Sequence, residues 1–189
     1  MLRTLFTIAV LSFSSLSQAT VPTWNIVSKD SSLTFSAIQN DAPVTGTFKT
    51  FSGTIHFDPA ELAASNVNII VDMNSIETSY GEIATTLKTP DWFDVKLFPQ
   101  AIFKANKFTK TGDKTYQANG SLTIRDKTEP VTLTFTLDEY SKTNARVTGT
   151  TTLKRTLFGV GQGDWSKTDE IKDDVHVKFT LVTVLAMHK

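Results

Sequence analysis

Apolar and polar side chains alternate strictly along several segments of the chain, and glycine takes the apolar position in four of them. These glycines are Gly46, Gly53, Gly120 and Gly149. A period of two predicts β-strands that turn one face to an apolar interior and the other to water. Glycine on the inner face lets a strand bend and removes side-chain volume from the interior. The pattern therefore favours a curved sheet closed around empty, apolar space, with an apolar small molecule as the ligand.

The same alternation predicts an all-β protein of about eight to ten strands. The apolar parity switches between Phe48 and Phe51, so an extra residue must produce a bulge or a sharp bend near Thr50. Spacing alone fits either a sandwich or a barrel. The inner glycines and the bend favour a closed antiparallel barrel of about eight strands, whose interior holds one small ligand. The predicted strand segments are 24–26, 33–37, 44–48, 51–57, 67–73, 102–108, 116–124, 131–137, 147–153 and 175–181.

Two short helices are predicted between these strands. Residues 58–61 (DPAE) place an N-cap Asp, a first-turn Pro and a Glu in order, and this pattern predicts a helix that ends near Asn66. Ser79 and Glu82 form a capping-box pattern for a second helix. Pro90 ends the second helix or follows its end. We expect this second helix to lie near a mouth of the barrel.

Large apolar side chains in and after the second helix are candidates for closing that mouth. The segment from the helix to Asp94 is interpreted either as a movable lid or as a permanent plug. We expect Asp91 and Asp94 to hydrogen-bond the backbone around the aromatic pair between them. Arg125 either meets a ligand head group or is solvated or paired with an acid. The mouth or lid candidates are Leu87, Trp92, Phe93 and Phe158.

Ten apolar side chains on the predicted inner faces are candidates for the wall of the lumen. Thirteen phenylalanines stand against three tyrosines, and phenylalanine lines an apolar tunnel without needing a hydrogen-bond partner. The alternative for each position is an ordinary packed core. The lumen candidates are Phe35, Phe48, Ile55, Phe57, Val71, Met73, Phe103, Leu122, Leu133 and Phe135.

The first residues have the features of a signal peptide. Arg3 is followed by an apolar run, and Ser17 and Ala19 supply the small residues before a cleavage site. Residues 1–19 are thus predicted to be removed and 20–189 to form one exported domain, which fits a bacterial periplasm. The 189 residues carry 19 basic and 19 acidic side chains, so nothing in the net charge attracts nucleic acid.

The chain offers little chemistry for catalysis. It has no cysteine, which excludes thiol nucleophiles and thiolate metal sites. His56, His176 and His188 are far apart in sequence, and the His56-x-Asp58 spacing is a weak metal signal. The motifs of serine hydrolases, zinc proteases and phosphate-binding loops are missing. We therefore expect a non-enzymatic binding protein with no cofactor and no metal. The alternatives are an enzyme that acts on a lipid inside the barrel, and a β-sandwich interaction module that exposes Trp92 and Trp165.

Six motifs in order along the chain resemble the YceI-like family. They are GTFKTFSGTIHFDP at 46–59, DWFD at 91–94, FP at 98–99, GSLTIR at 120–125, PVTL at 130–133 and LFGVG at 157–161. The resemblance implies a lipocalin-like antiparallel barrel in the periplasm that binds a polyisoprenoid or similar long-chain lipid in its lumen. It also implies a homodimer.

One segment departs from the family pattern. Many members carry Arg-Asp-x-His-Leu before the DWFD-like motif, whereas this chain has IATTL at 83–87. This version, together with FGVGQGDW at 158–165, resembles a subgroup whose relatives occur beside or fused to b-type cytochromes of the membrane. The resemblance therefore implies an isoprenoid quinone as one candidate ligand and such a cytochrome as a candidate partner. The missing charges put a charged head-group contact in doubt.

Overall fold

Eleven β-strands and one α-helix organise the residues that the structure describes. The structure is a computed structural model and describes residues 21–187. The predicted signal peptide at 1–19 lies outside the described residues. The strands are β1 Thr23–Ile26, β2 Ser32–Gln39, β3 Ala42–Phe48, β4 Phe51–His56, β5 Asn66–Asp72, β6 Ile76–Thr78, β7 Gln100–Lys110, β8 Thr115–Ile124, β9 Lys127–Tyr140, β10 Asn144–Lys154 and β11 Asp174–Leu185, and the helix is α1 Gly81–Leu87.

Eight of these strands close into an antiparallel barrel. The ring runs β1-β4-β5-β7-β8-β9-β10-β11 and is completed by the pairing of β11 with β1. That closure places Trp24 opposite Leu185 and Ile26 opposite Thr183. Closure leaves no free edge around the ring. The predicted all-β, closed antiparallel barrel of about eight strands is confirmed.

The other three strands extend the sheet from one edge of β11. Because β10 pairs along the whole length of β11, β1 and β2 must share the remaining edge. Strand β1 pairs with residues 183–185, and β2 pairs with residues 176–180. Strands β3 and β6 continue from β2. We call the end of the barrel that carries α1 and the loops 88–99 and 155–173 the upper end, and the end with the hairpin turns 111–114 and 141–143 the lower end.

A sharp change of direction separates β3 from β4, as the parity switch predicted. Strand β3 ends at Phe48, β4 begins at Phe51, and the two residues between them belong to neither strand. Ser75 accepts hydrogen bonds from both backbone N–H groups of this bend. Lys49 N donates to the Ser75 carbonyl, and Thr50 N donates to the Ser75 hydroxyl. The bend lets Phe48 and Phe51 both face the interior.

The prediction of a first helix, beginning at Asp58 and ending near Asn66, is wrong. Residues 57–65 form a turn and a three-residue 3-10 helix, Leu62–Ala64. Asp58 does accept a backbone hydrogen bond, from Ala60 N at 2.9 Å, but in a turn. The connection between β4 and β5 is short, and the buried Ser65 hydroxyl satisfies its backbone by accepting from Asp58 N at 3.1 Å and donating to Glu61 O at 3.0 Å. These local bonds compete with helix formation.

The second helix is present near the upper mouth, but its predicted cap is wrong. Tyr80 is the N-cap of α1 and makes no side-chain cap bond. The Ser79 hydroxyl instead lies 3.4 Å from the hydroxyl of Thr45 on β3. Ser79 directly follows β6, which pairs with β3, so the sheet decides where its side chain points. No helix among the described residues has the length and apolar character needed to cross a lipid bilayer.

Candidate functional site

An apolar cavity occupies the upper half of the barrel. Its volume is about 240 Å³, and among the described residues no polar atom is exposed to it. Strands β2 to β5 and β7 to β11 contribute inward side chains to the wall, and the segment after α1 covers the mouth. A preformed, concave and apolar space of this kind is the usual form of a small-ligand site.

A second, smaller cavity lies below the first. It has a volume of about 90 Å³ and is lined from the lower half of the barrel, including Trp24 on β1 and Thr183 on β11. Beneath it the aromatic rings are packed closely: the Phe57 ring lies 5.4 Å from Phe108, 5.8 Å from Tyr116 and 5.8 Å from Phe135. The lower end is thus mainly a packed aromatic core, which is the alternative considered for each lumen candidate. The upper end encloses the larger space.

All fourteen residues predicted for the lumen and mouth line one or other cavity. The four mouth candidates, Leu87, Trp92, Phe93 and Phe158, all line the upper one. The lumen candidates divide by height along the barrel. Phe35, Phe48, Val71, Met73 and Leu122 line the upper cavity only; Ile55, Phe57 and Phe135 line the lower cavity only; Phe103 and Leu133 line both. Their role in binding a ligand stays a prediction.

Sequence reasoning missed the cavity-lining residues of the last strand and, apart from Phe158, those of the loop before it. Val175, Val177 and Phe179 on β11 face the upper cavity, together with Val160 and Ile171 from the loop 155–173. The alternation of apolar and polar side chains along β11 could have identified the strand residues as inward-facing. The loop residues have no periodic signal, because the chain there is ordered by a buried side chain described below.

The glycines do not create the cavity in the way the sequence predicted. A Cβ added at each of the four inner glycines would overlap a neighbouring residue. At Gly149 that neighbour is the ring of Phe179, its register partner on β11. At Gly46 it is the ring of Phe35, the register partner on β2. Glycine therefore makes room for an aromatic ring or a backbone carbonyl of the next strand, and the empty space lies farther inside the barrel.

Replacing Gly149 with alanine should lower the free energy of unfolding by about 2 kcal/mol, because the new methyl group overlaps Phe179 and the backbone of β9. Urea unfolding followed by circular dichroism measures the change. The matched control is Gly81→Ala at the start of α1, where an added Cβ has nothing within 4 Å. We expect the control to be neutral or slightly stabilising. Equal effects at both glycines would contradict the close approach at Gly149.

The segment over the upper mouth is fastened to the barrel by hydrogen bonds. Arg125, in the β8–β9 turn, donates from Nη1 to the carbonyls of Pro90 (2.6 Å) and Trp92, and its guanidinium lies 5.4 Å from the Phe98 ring. The carbonyl of Asp91 accepts from Gly161 N and Gln162 N at 2.9 and 2.8 Å. Arg125 thus holds backbone carbonyls and forms no ion pair among the described residues. Its Nε is buried and has no acceptor among them.

Arg155 organises the loop that completes the mouth. Its side chain is buried, with 4% of its surface exposed. All three of its nitrogen atoms donate to backbone carbonyls, and its guanidinium lies 5.9 Å from the Trp92 ring. The acceptors are the carbonyls of Val160, Gly161, Lys167, Ile171 and Lys172, at 2.6 to 3.4 Å. One side chain therefore fixes most of the loop 155–173, which no local sequence pattern indicated.

The environment of Arg155 is apolar as well as hydrogen-bonded. Burial lowers the pKa of Arg155, and the charge of Asp173 partly opposes this change. Gly161 is required beside it: its φ of 82° lies in the left-handed region, and an added Cβ would overlap the guanidinium. Because carbonyls use its nitrogen atoms, Arg155 serves the shape of the site and offers no free charge to a ligand.

Trp92 is the mouth residue with an unused polar group. Only 6% of its surface is exposed, its ring lies 5.7 Å from Trp165, and its buried Nε1–H has no acceptor among the described residues. The burial contradicts the alternative in which Trp92 forms part of an exposed aromatic patch. The closed barrel likewise contradicts the β-sandwich alternative.

Polar side chains near the cavities are engaged in local contacts. Thr151 lines the upper cavity, but its hydroxyl donates to the carbonyl of Thr132 at 3.0 Å. His56 Nδ1 lies 2.9 Å from the Thr23 hydroxyl, and His176 Nδ1 lies 2.9 Å from that of Thr152. Within residues 21–187 no three His, Asp or Glu side chains come together in a way that would hold a metal ion.

An eight-stranded antiparallel barrel around an apolar cavity, with a short helix at one mouth, defines a lipocalin-like class of protein. Within that class the chain belongs to the YceI-like domain family, whose model matches residues 24–183. The resemblance found in the six motifs is thereby confirmed.

Known proteins support the assignment. A protein described as "UPF0312 protein" from Pseudomonas savastanoi is 33% identical over 129 residues, which cover 65% of this chain and 67% of that protein. BcnA from Burkholderia cenocepacia, whose crystal structure is known, is 32% identical in sequence to this chain. The two structures superpose with a TM-score of 0.79 over 83% of this chain and 98% of BcnA. A polyisoprenoid binding domain from Saccharophagus degradans shares the fold at 14% identity, with a TM-score of 0.68 and coverages of 89% and 100%.

Proposed function

We propose that this protein is an exported carrier or scavenger that binds a polyisoprenoid or quinone-like lipid in the barrel lumen. The observation that carries the proposal is the upper cavity, in which the wall exposes only apolar atoms. Burying one methylene group of a ligand in such a space contributes about 0.8 kcal/mol. The relative described as a polyisoprenoid binding domain has the same fold, and the signal-peptide pattern at 1–19 supports export to the periplasm.

The ligand head group is proposed to carry an acceptor oxygen rather than a negative charge. Trp92 lines the upper cavity and holds a buried N–H without an acceptor. An unmade hydrogen bond of this kind costs about 1–3 kcal/mol. The N–H is not exposed to the cavity at rest, so a quinone carbonyl would recover that energy only after the indole turned its N–H toward the ligand. Arg155 donates from all of its nitrogen atoms to backbone carbonyls. Arg125 keeps a buried Nε without an acceptor but does not line the cavity, so a neutral head group is favoured at the cavity wall.

Binding, rather than catalysis, is the function we propose for the cavity. Catalysis on a bound lipid would need a polar group facing the lumen, with a pKa tuned to its task. The hydroxyl of Thr151 and the guanidinium of Arg155 are both used by backbone carbonyls, which favours a passive container. Incubation with prenyl phosphates and quinones, followed by chromatography of the products, tests the enzyme alternative directly.

Native mass spectrometry of the protein purified without detergent tests the proposal. We expect an adduct with the mass of an isoprenoid lipid, or stoichiometric uptake of an added short-chain ubiquinone. Repeated recovery of ligand-free protein that also rejects added prenyl lipids would overturn the proposal. The homodimer and the b-type cytochrome partner that the family resemblance implies are further proposals, and light scattering and pull-down from membranes measure them separately.

A further inference from the structure

A layer of five apolar side chains separates the two cavities. These residues line both the upper and the lower cavity, so they form the floor of one and the roof of the other. They come from β5, β7, β9 and β11, which lie on different sides of the barrel. We call this layer the partition; its members are Ile69, Phe103, Leu133, Phe179 and Leu181.

The two rings of the partition have no aromatic partner, unlike the rings below them. Phe57, Phe108, Tyr116 and Phe135 pack against one another, mostly edge to face, whereas no aromatic pair among the described residues includes Phe103 or Phe179. Phe179 is only half-buried and rests over Gly149, where a side chain on the neighbouring strand would exclude it. Its ring therefore has one defined seat and open space on the side of the upper cavity.

The size of the upper cavity limits what the resting barrel can hold. A dry protein cavity of about 150 Å³ accommodates a benzene molecule. By the same proportion, the upper cavity of about 240 Å³ accommodates about ten carbon atoms, or roughly two isoprene units. A longer chain meets the partition before it reaches the additional space of about 90 Å³ below.

We propose that the partition sets how deeply a bound chain penetrates: the resting barrel accommodates about two isoprene units, and the rest of a longer chain enters only when Phe179 is displaced from its position over Gly149. This inference rests on the proposed function and specifies how much of the lipid chain enters the barrel without rearrangement. Moving a packed ring into an unfavourable arrangement offsets part of what each added methylene contributes. Affinity should therefore rise with length up to the partition and then level off.

The test is a chain-length series: geraniol, farnesol and geranylgeraniol, measured by displacement of the fluorescent probe N-phenyl-1-naphthylamine below the solubility limit of each alcohol. An isoprene unit that finds preformed space improves binding by well over tenfold, since each methylene contributes about fourfold. For the unaltered protein we expect the affinity for farnesol to exceed the affinity for geraniol by less than threefold. For Phe179→Ala, which joins the two cavities, we expect the affinity for farnesol to exceed the affinity for geraniol by at least tenfold.

Phe108→Ala is the matched control. It removes the same atoms from a half-buried ring that lines the lower cavity only, so it enlarges the space below an intact partition and should leave the farnesol-to-geraniol ratio at the value of the unaltered protein. Leu133→Ala opens the partition from β9 and replaces Phe179→Ala if that variant does not fold. We expect the same increase in the ratio for Leu133→Ala.

The outcomes separate the two proposals. If the affinity of the unaltered protein rises by more than tenfold with each added isoprene unit, the proposed role of the partition is refuted. The proposed lipid-binding function would not be affected. Equal farnesol-to-geraniol ratios in the partition variants and in Phe108→Ala would likewise refute the role of the partition alone. If none of the alcohols displaces the probe from any variant, the proposed function itself fails.

Discussion

Replacing Arg155 with methionine should lower the free energy of unfolding by about 3–5 kcal/mol, the largest stability effect that we expect for a single substitution in this chain. Methionine matches the length and the apolar stem of arginine, so the volume lost is small. The five carbonyls that Arg155 binds, however, remain in the loop 155–173 without a donor.

The nature of the partners determines the sign of this effect. When a buried ion pair is replaced as a whole by apolar residues, the change is often neutral, because both charges leave together. Here the partners are backbone carbonyls, which no substitution removes. Each buried acceptor left without a hydrogen bond costs about 1–3 kcal/mol unless water reaches it. Opening of the loop to admit water would in turn remove the support that Trp92 receives from the guanidinium.

Urea unfolding measures the stability, and limited proteolysis reports whether residues 155–173 become accessible. Arg155→Lys should give an intermediate loss, since an ammonium group replaces only some of the bonds and lacks the planar fork. Arg146→Met on β10, the strand that ends just before Arg155, is the control, because the side chain of Arg146 makes no hydrogen bond that the described residues show. We expect a change within about 0.5 kcal/mol. Losses of similar size at both arginines would refute the organising role of Arg155.

Filling the upper cavity should abolish lipid binding while the barrel remains folded. Leu122 on β8 faces the cavity beside its register partner Phe103 on β7. In Leu122→Trp the indole takes up much of the space of about 240 Å³. We expect affinity for geraniol to fall by about a hundredfold, because a ligand excluded from this space loses about 3 kcal/mol of methylene burial.

Displacement of the same fluorescent probe measures this loss, and thermal unfolding verifies the fold. Leu157→Trp is the matched control: Leu157 is 54% exposed at the upper end, so the same substitution adds an indole outside the cavity and should leave the affinity unchanged. Undiminished geraniol binding by a folded Leu122→Trp protein would show that the ligand binds elsewhere.

The strands were largely predictable because a period of two is a local property of the sequence. Strands β4, β5, β8 and β10 were predicted within a few residues, and the bend between Phe48 and Phe51 followed from a change of parity. Local signals failed where a side chain had two competing partners. Ser79 contacts Thr45 instead of capping α1, and Ser65 stabilises a turn in place of the first helix.

The candidate site was predictable in its residues but not in its shape. The ten lumen candidates could be found because inward parity along a strand is readable from the sequence, and the four mouth candidates because they are large apolar residues in or near non-strand segments. The inner glycines, however, were interpreted as empty volume, whereas each is covered by a neighbouring residue. What fills the space over Gly149 depends on the register of β11, which brings Phe179 there from a distant part of the chain.

The amino-acid sequence alone determined that this chain forms antiparallel strands with one apolar face, that these strands enclose an interior, and that the chain resembles the YceI-like family. Alternation and motif order are written along the chain, so no folding is needed to see them. Only the tertiary structure decided that β1 closes the ring, that the interior divides at Phe179, and that Arg155 holds the mouth. These features arise from contacts between residues far apart in sequence, and such contacts are fixed by the register of the closed sheet.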